Sequence, residues 1–425
     1  MKIGTAPHFH LTYCTNIHPG EDWQQVFANL HHYLPPLKAR IAPDAPFGVG
    51  LRLGDRASRE LLAEDNLAQF QTWLAQHSLY VFTLNGFPYG GFHHQVVKDR
   101  VYAPDWTERS RLAYTFRLAR ILTHLLPAGM DGSISTLPLS YKPWHVGTQR
   151  CRVLTESSVN LALMVAELER LRQETGKLLH VDLEPEPDGL LENAAEVVNF
   201  FQDWLLPIGG GYLAERNSLS RSTAETMLLE HINVCYDTCH FAVEYEEPAA
   251  VLNRFSQVGI KIGKIQLSAA IKVTLPPPGQ RSLVLNRLRP FAESTYLHQV
   301  IERFADGTLC HYRDLVAALS SLEQSPAEEL RTHFHVPIFI HDYHILQSTQ
   351  DHLVELLQLL LAQPVCQHLE IETYTWDVLP TDMKLDLSNS IEREYQWVLE
   401  QMMAKNRQRP ATLVSVANQQ SAINN

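Results

Sequence analysis

Strand-like and helix-like segments alternate eight times along this chain, and the alternation limits its possible folds more than any other feature. The segments between the short apolar strands, such as Asp22–Tyr33, repeat apolar residues about every 3.6 positions. Such alternation is typical of parallel sheet with right-handed crossovers. Eight units favour a closed (β/α)8 TIM barrel over an open doubly wound sheet. The candidate strands are Phe9–Asn16, Gly48–Gly54, Tyr80–Gly86, Gly132–Ser140, Leu178–Glu184, Asn233–Cys239, Lys261–Ser268 and Leu369–Tyr374.

One long segment interrupts the pattern before the last strand. Residues 269–345 are too many for a single connection, and we expect an insertion over the barrel mouth, because long loops in compact domains usually serve binding. Within it we predict helices over Phe291–Arg303 and Arg313–Leu322 and a ninth strand over Thr332–Asp342. We therefore predict one barrel domain over residues 1–405 and a polar, disordered tail over residues 406–425.

Composition narrows the classes of function. The formal net charge of −12 argues against a general nucleic-acid binder, which usually presents a basic face. The six cysteines form no CxxC pair, which indicates a reduced, cytoplasmic compartment. We find no signal-peptide pattern and no apolar run of about 18 residues, so we expect no membrane insertion. Glycine-rich nucleotide motifs and a G-x-S-x-G elbow are also absent from the sequence.

Acidic and imidazole side chains stand at or just past the ends of several predicted strands. Glu184 precedes a proline at a strand end, Asp237 is followed by His240, and Glu372 lies near the end of the last strand. The C-terminal ends of barrel strands point into one mouth, so these four residues are expected to share one pocket. Carboxylates suit hard divalent ions, and imidazole suits a borderline ion or a substrate hydroxyl. The alternative interpretation is a set of solvated turn acids and helix caps.

Further residues near predicted strand ends are weaker candidates for the same site. Gln266 ends the strand before the insertion, where its amide is either a weak metal ligand or an orienting hydrogen-bond partner. His333 and His335 lie on one side of an extended segment, and we favour His335 as a pocket residue. Aromatic and amide groups at the early strand ends would grip a polyol, although packing at the rim is the alternative. These early candidates are Tyr13, Asn16, His18 and Asn85.

At these residues the chain resembles the xylose isomerase-like barrel superfamily, which includes sugar isomerases, ketose 3-epimerases and endonuclease IV. Members bind divalent metals with Glu, Asp, His and Glu from the ends of the fifth to eighth strands. Glu184, Asp237 and Glu372 match three of these positions in order, and the D-T-C-H stretch resembles the superfamily's Asp-x-x-His. Gln266 stands where the superfamily has histidine, which is a departure from the pattern.

A closer resemblance spans nearly the whole chain. The stretches L-T-Y-C-T-N-I-H-P-G-E-x-W (Leu11–Trp23), T-H-F-H-V-P-I-F (Thr332–Phe339) and L-E-I-E-T-Y-T-W-D-V-L-P (Leu369–Pro380) resemble the EboE family. These are bacterial metabolite-traffic proteins encoded in the ebo cluster. The resemblance implies a role in moving a secondary-metabolite precursor and, as partners, other proteins of that cluster.

We therefore predict a divalent-metal-dependent isomerase or epimerase acting on a small hydroxylated or carbonyl metabolite. Glu184 and Glu372 would move protons, with His240 on a substrate hydroxyl. The predicted ligands of a Mn, Zn, Co or Mg ion are Glu184, Asp237, Gln266 and Glu372. One alternative is a non-catalytic metabolite-binding or scaffold protein that retains the barrel. Another is a phosphodiesterase like endonuclease IV, against which the net charge argues.

Overall fold

The computed structural model describes residues 1–4, 8–380 and 386–404. Eight parallel strands build its main sheet, and the short strand Lys2–Ile3 adds an antiparallel ninth. We number the parallel strands β1 (Phe9–Tyr13), β2 (Phe47–Arg52), β3 (Leu79–Asn85), β4 (Gly132–Thr136), β5 (Leu179–Leu183), β6 (Ile232–Asp237), β7 (Ile262–Leu267) and β8 (His368–Ile371).

The parallel sheet closes on itself. Hydrogen-bonded neighbours follow chain order from β2 to β7, and β8 pairs with both β7 and β1. A parallel bridge between Cys14, just after β1, and Gly50 of β2 joins the two remaining edges. At this junction an added Cβ on Gly50 would lie 1.9 Å from Glu370 Oε1, so the barrel interior leaves space only for glycine there. The chain therefore forms a (β/α)8 barrel.

Helices follow the strands, as the periodicity predicted. Helix Trp23–Ile41, for example, buries Trp23, Val26, Leu30, Leu34 and Leu37 along one stripe, and the side chain of Asp22 caps its first turn. Besides short 3-10 turns, the other helices are Asp55–Leu61, Asn66–Gln76, Arg109–Leu125, Thr148–Thr175, Ala194–Phe200, the π-helical Phe201–Gly209, Gly210–Asn217, Arg221–His231, Thr238–Val243, Pro248–Gln257, Ser282–Leu288, Leu315–Ser321, Gln350–Ala362 and Leu387–Ala404.

Between β7 and β8 the chain builds a second, antiparallel sheet. Its six strands run in the spatial order Leu309–Tyr312, Val300–Arg303, Glu329–Thr332, Ile271–Thr274, Leu346–Ser348 and Asp342–Tyr343. Val300 pairs with both Tyr312 and Thr332, so strand Val300–Arg303 has a hydrogen-bonded neighbour on each edge. The apolar side chains of Val300, Leu330 and Val273 are buried in the main core.

Several expectations for this segment were wrong. Residues 291–303 do not form a helix: Val300–Arg303 is a strand, because two partner strands pair with it and override its helix-like spacing. The predicted ninth strand over Thr332–Asp342 ends at Thr332. Pro337, which has no N–H to donate, lies in the irregular stretch that follows.

Two further predictions concern the C-terminal tail and membrane insertion. The proposed disordered tail, residues 406–425, lies outside the described residues. Within the described part, no helix combines the length and apolarity that crossing a bilayer requires.

Candidate functional site

Three carboxylates meet at the C-terminal end of the barrel. Glu184 follows β5, Asp237 ends β6 and Glu372 follows β8, so strand ends far apart in sequence deliver them. One oxygen from each lies within 4.8 Å of the others, and all three side chains are buried. Buried carboxylates this close repel one another unless a proton or a cation lies between them.

Neighbouring groups hold two of these carboxylates in place. Asn16 and Asn85 donate amide N–H groups to Glu372 Oε1 at 2.8 and 2.9 Å. The Ser268 hydroxyl and the His240 backbone N–H donate to Asp237 Oδ1 at 2.7 and 3.0 Å. Glu184 Oε2 and Asp237 Oδ2 are buried without a hydrogen-bond partner. Unpartnered buried oxygens of this kind fit the ligand set of a cation.

Three histidine rings converge beside the carboxylates. His240 Nε2 lies 3.1 Å from His333 Nε2, which in turn lies 3.3 Å from His335 Nε2. His240 lies in the short helix after β6, whereas the other two lie in the irregular stretch after strand Glu329–Thr332 of the second sheet. The loop between β7 and β8 thus brings imidazoles to a barrel mouth that otherwise presents carboxylates.

The other nitrogen of each ring faces a hydrogen-bond acceptor. His240 Nδ1 lies 3.1 Å from Pro185 O, and His335 Nδ1 lies 2.7 Å from Glu372 O. His333 Nδ1 lies 2.8 Å from Gln299 Oε1, and the orientation of that amide is fixed because its Nε2 donates to Pro187 O at 2.9 Å. All three Nδ1 atoms must therefore carry the hydrogen.

With hydrogen on Nδ1, each neutral ring presents a bare lone pair at Nε2. Burial lowers the pKa of His240 to about 4 and lowers the pKa values of His333 and His335, so the rings are neutral at pH 7. Three lone pairs this close cannot hydrogen-bond to one another. Zn–N bonds of about 2.0–2.1 Å in a tetrahedron would separate ligand nitrogens by about 3.3 Å. The two adjacent Nε2 pairs are near this separation, and the ligand atoms of Asp237, His240 and His335 lie within 4.8 Å of one another, so this cluster could hold a divalent metal.

Burial and mutual repulsion also shift the carboxyl groups. Burial, and then the negative charges of neighbouring carboxylates, raise the pKa values of Glu184 and Glu372 well above the usual range. Burial raises the pKa of Glu186 to about 8. Without a cation, Glu184 and Glu372 therefore keep their protons at neutral pH and can donate them, whereas a bound cation would favour an ionised carboxylate that accepts a proton.

Two of the four candidates from the early strand ends lie at the pocket, and two do not. Asn16 and Asn85 lie at the pocket against Glu372, whereas Tyr13 and His18 do not line the pocket. Tyr13 Oη lies 2.8 Å from His18 Nε2, and the Tyr13 ring packs against Tyr395 of the last helix. Strand alternation explains this placement, because Tyr13 faces the helices while Thr12 faces the barrel interior.

Gln266 points into the barrel, but its hydrogen-bond partner is a cysteine. Its Oε1 accepts a hydrogen bond from Cys235 Sγ at 3.1 Å, and its Nε2 is buried without a partner. His335, from the loop, instead belongs to a group with Asp237 and His240. A ligand role for Gln266 stays a prediction.

A pocket of about 70 Å³ opens above these groups. Its inner wall contains Glu184, Glu186, His240, His333 and Glu372. The pocket therefore gives a small ligand direct access to both the carboxylates and the histidines.

Sequence reasoning missed some of the residues that build the site. Gln299 fixes the His333 ring, yet no spacing or motif singles it out, because it reaches the site from the second sheet. Lys264 is buried under the mouth and pairs with Glu370 at 2.6 Å. Its position on β7, two residues before Gln266, is the one signal that would have indicated an inward-facing lysine.

The fold and this site define a (β/α)8 barrel with a histidine–carboxylate centre at its mouth. No protein-family profile and no curated protein matches the chain, so the resemblance to EboE stays a prediction. Among solved structures, an L-ribulose 3-epimerase is 11% identical with a TM-score of 0.48 and covers 97% of this chain and 99% of its own.

Two further solved structures are similarly distant. The IolI protein with a bound zinc atom is 11% identical, with a TM-score of 0.43 over 93% of this chain and 98% of its own. A xylose isomerase domain protein from Planctomyces limnophilus is 12% identical, with a TM-score of 0.41 over 84% and 90%. The order of the hydrogen-bonded strands, and not similarity to these distant structures, shows that the chain forms a barrel.

Proposed function

We propose that this protein is a divalent-metal-dependent enzyme that moves a proton on a small hydroxylated or carbonyl metabolite, as isomerases and epimerases do. One observation carries the proposal: three histidine Nε2 lone pairs and two unpartnered carboxylate oxygens meet at the base of one pocket. A structural core would not collect such groups without a ligand, because each costs free energy when buried alone.

Asp237, His240 and His335, whose ligand atoms lie within 4.8 Å of one another, would hold the metal, with His333 beside them as a further ligand. Three imidazoles and one carboxylate favour Zn, Mn or Co over Mg, which prefers oxygen ligands. When bound, the ion would act as a Lewis acid that polarises a substrate carbonyl. The set predicted from the sequence was Glu184, Asp237, Gln266 and Glu372. It stays the alternative, because ligand oxygens of Glu184, Asp237 and Glu372 also lie within 4.8 Å of one another.

Glu184 and Glu372 would then transfer the proton. Asn16 and Asn85 both donate to Oε1 of Glu372 and so orient that carboxylate, whereas Glu184 has a free oxygen. The ionised member of the pair removes the proton from the carbon next to the carbonyl, and the C–H electron pair moves into the carbonyl to give an enediolate. The protonated member returns a proton to carbon, so charge and protons balance.

The resemblance to EboE adds a cellular context to this proposal. It would place the reaction in the traffic of a secondary-metabolite precursor, together with other proteins of the ebo cluster. This part rests on the sequence stretches Leu11–Trp23 and Leu369–Pro380.

Hydrogen exchange tests the chemistry without knowledge of the natural substrate. The metal-loaded protein should catalyse deuterium incorporation from D2O at the carbon next to the carbonyl in one or more hydroxyketones, followed by NMR. Glu372→Gln should slow that exchange about a hundredfold or more and leave the melting temperature unchanged. Glu328→Gln, at an exposed site, is the matched control. Equal exchange in both variants would remove Glu372 from the mechanism, and a metal-free, inactive protein would favour the binding-protein alternative.

A further inference from the structure

The outer wall of the pocket is an apolar cluster separate from the main core. Phe92, Val97 and Tyr296 form its buried centre, with Val101 and Tyr374 packed against it. The three aromatic rings lie 5.1–5.4 Å apart, which is the usual spacing of packed aromatic side chains. The loop after β3, the chain before strand Val300–Arg303 and the chain after β8 each contribute to this wall.

Two polar groups at the outer wall already have partners within the protein. The Tyr296 hydroxyl donates to Phe92 O at 3.2 Å. Lys98 is the one lysine or arginine among the described residues that line the pocket, and its Nζ donates to Asp314 Oδ2 at 2.7 Å and to Glu293 O at 3.3 Å. Among the described residues, the wall therefore provides no free cation for a phosphate.

The two ends of the pocket thus recognise different chemistry. The inner end presents carboxylates, imidazoles and amides, while the outer end presents aromatic and aliphatic carbon. A free sugar has hydroxyl groups along its whole length, and its far end would lose hydrogen bonds to water against such a wall. An apolar group there would gain by leaving water.

We propose that the pocket takes an uncharged hydroxyketone that carries an apolar group about the size of an aromatic ring, and not a free sugar or a sugar phosphate. The proposal rests on the proposed function for the polar head of this ligand. The apolar group is assigned from the outer wall alone.

Three compounds with the same hydroxyketone head test the assignment. In 2-hydroxyacetophenone a phenyl ring replaces one CH2OH group of dihydroxyacetone, and dihydroxyacetone phosphate adds a charge. Calorimetric titration of the purified full-length protein should show 2-hydroxyacetophenone binding about tenfold or more tightly than either of the others. Equal affinities, tighter binding of the phosphate, or no binding of the aryl ketone would overturn the proposal.

Substitutions at two adjacent valines test where the apolar group of the ligand binds. Val97→Thr places a hydroxyl in the outer wall at nearly constant volume and should weaken 2-hydroxyacetophenone binding about three- to tenfold, without changing the affinity for dihydroxyacetone. Val96→Thr, at a neighbouring side chain that is 61% exposed, should change neither affinity. An equal effect of both substitutions would contradict the assignment.

Failure of this inference and failure of the proposed function give different results. Tight binding of 2-hydroxyacetophenone without deuterium exchange would overturn the reaction but leave the ligand class. Exchange on dihydroxyacetone, with no preference for the aryl ketone, would overturn the ligand class but leave the reaction.

Discussion

Each of the three histidine rings at the barrel mouth adopts the Nδ1–H tautomer, because carbonyl or amide oxygens accept hydrogen bonds from all three Nδ1 atoms. Metal-binding histidines in proteins usually have this second hydrogen bond, which fixes the ring and raises its basicity. The argument for a metal therefore depends on the partners of the rings as much as on the rings themselves. Gln299 is the partner that can be changed without altering the backbone.

Gln299→Leu tests the role of that partner. The change removes the acceptor for His333 Nδ1 and should weaken metal affinity about 10–100-fold, because the ring loses its fixed orientation. Titration with zinc against a competing chelator measures the affinity. Gln324→Leu, at an exposed position of the same insertion, is the control and should bind as the unchanged protein does. Unchanged affinity in Gln299→Leu would show that the His333 orientation does not matter to binding.

Strands β7 and β8 position a buried ion pair under the site. Lys264 Nζ donates to Glu370 Oε2 at 2.6 Å and to Ser135 Oγ at 2.9 Å, and the pair is fully buried. Burial of one charge alone costs several kcal/mol, so the two residues depend on each other. This pair also explains why Glu370, which shares a strand face with Glu372, is not available to a ligand.

Lys264→Met should lower the free energy of unfolding by about 3–5 kcal/mol, because Glu370 is left buried and unpaired. Denaturant titration measures this change. The double variant Lys264→Met/Glu370→Gln should recover a large part of the loss. Lys272→Met breaks a pair with Asp351, whose side chain is 59% exposed, and should cost about 1 kcal/mol or less. Equal losses in the two single variants would contradict the account of the buried pair.

Elements with a strong local pattern were predictable, and elements that depend on distant partners were not. The barrel strands and the positions of Glu184, Asp237 and Glu372 follow from apolar runs that stop at polar residues. Strand Val300–Arg303 was mistaken for helix, because its pairing with Glu329–Thr332 cannot be recognised from local spacing. Gln299 was missed for the same reason: only the folded second sheet brings it to His333.

At the scale of the whole molecule, the last helix joins the barrel to the insertion. Glu394 of Leu387–Ala404 accepts hydrogen bonds from the Thr373 hydroxyl at 2.6 Å and from the Ile338 N–H at 3.3 Å. Thr373 follows β8, and Ile338 lies between strands Glu329–Thr332 and Asp342–Tyr343 of the second sheet. One carboxyl group thus connects three parts of the fold.

Burial raises the pKa of Glu394 to about 8, above the value of 4.5 expected for an unfolded chain. The folded protein therefore keeps this proton more tightly, so its contribution to stability is full below about pH 4.5 and is lost as pH rises to about 8. Glu394→Gln should match the unchanged protein at pH 5 and exceed its free energy of unfolding by about 2–4 kcal/mol at pH 9. Glu400→Gln, exposed on the same helix, is the control. A constant difference between pH 5 and pH 9 would contradict the assignment.

Anomalous X-ray diffraction from crystals grown with zinc tests the central claim most directly, namely that a metal binds between His240, His333 and His335. Data collected above and below the zinc absorption edge should show one strong peak at this cluster, about 2.0–2.1 Å from histidine Nε2 atoms and in contact with Asp237. A crystal without a peak at the barrel mouth, or with zinc bound only elsewhere on the protein, would contradict the account.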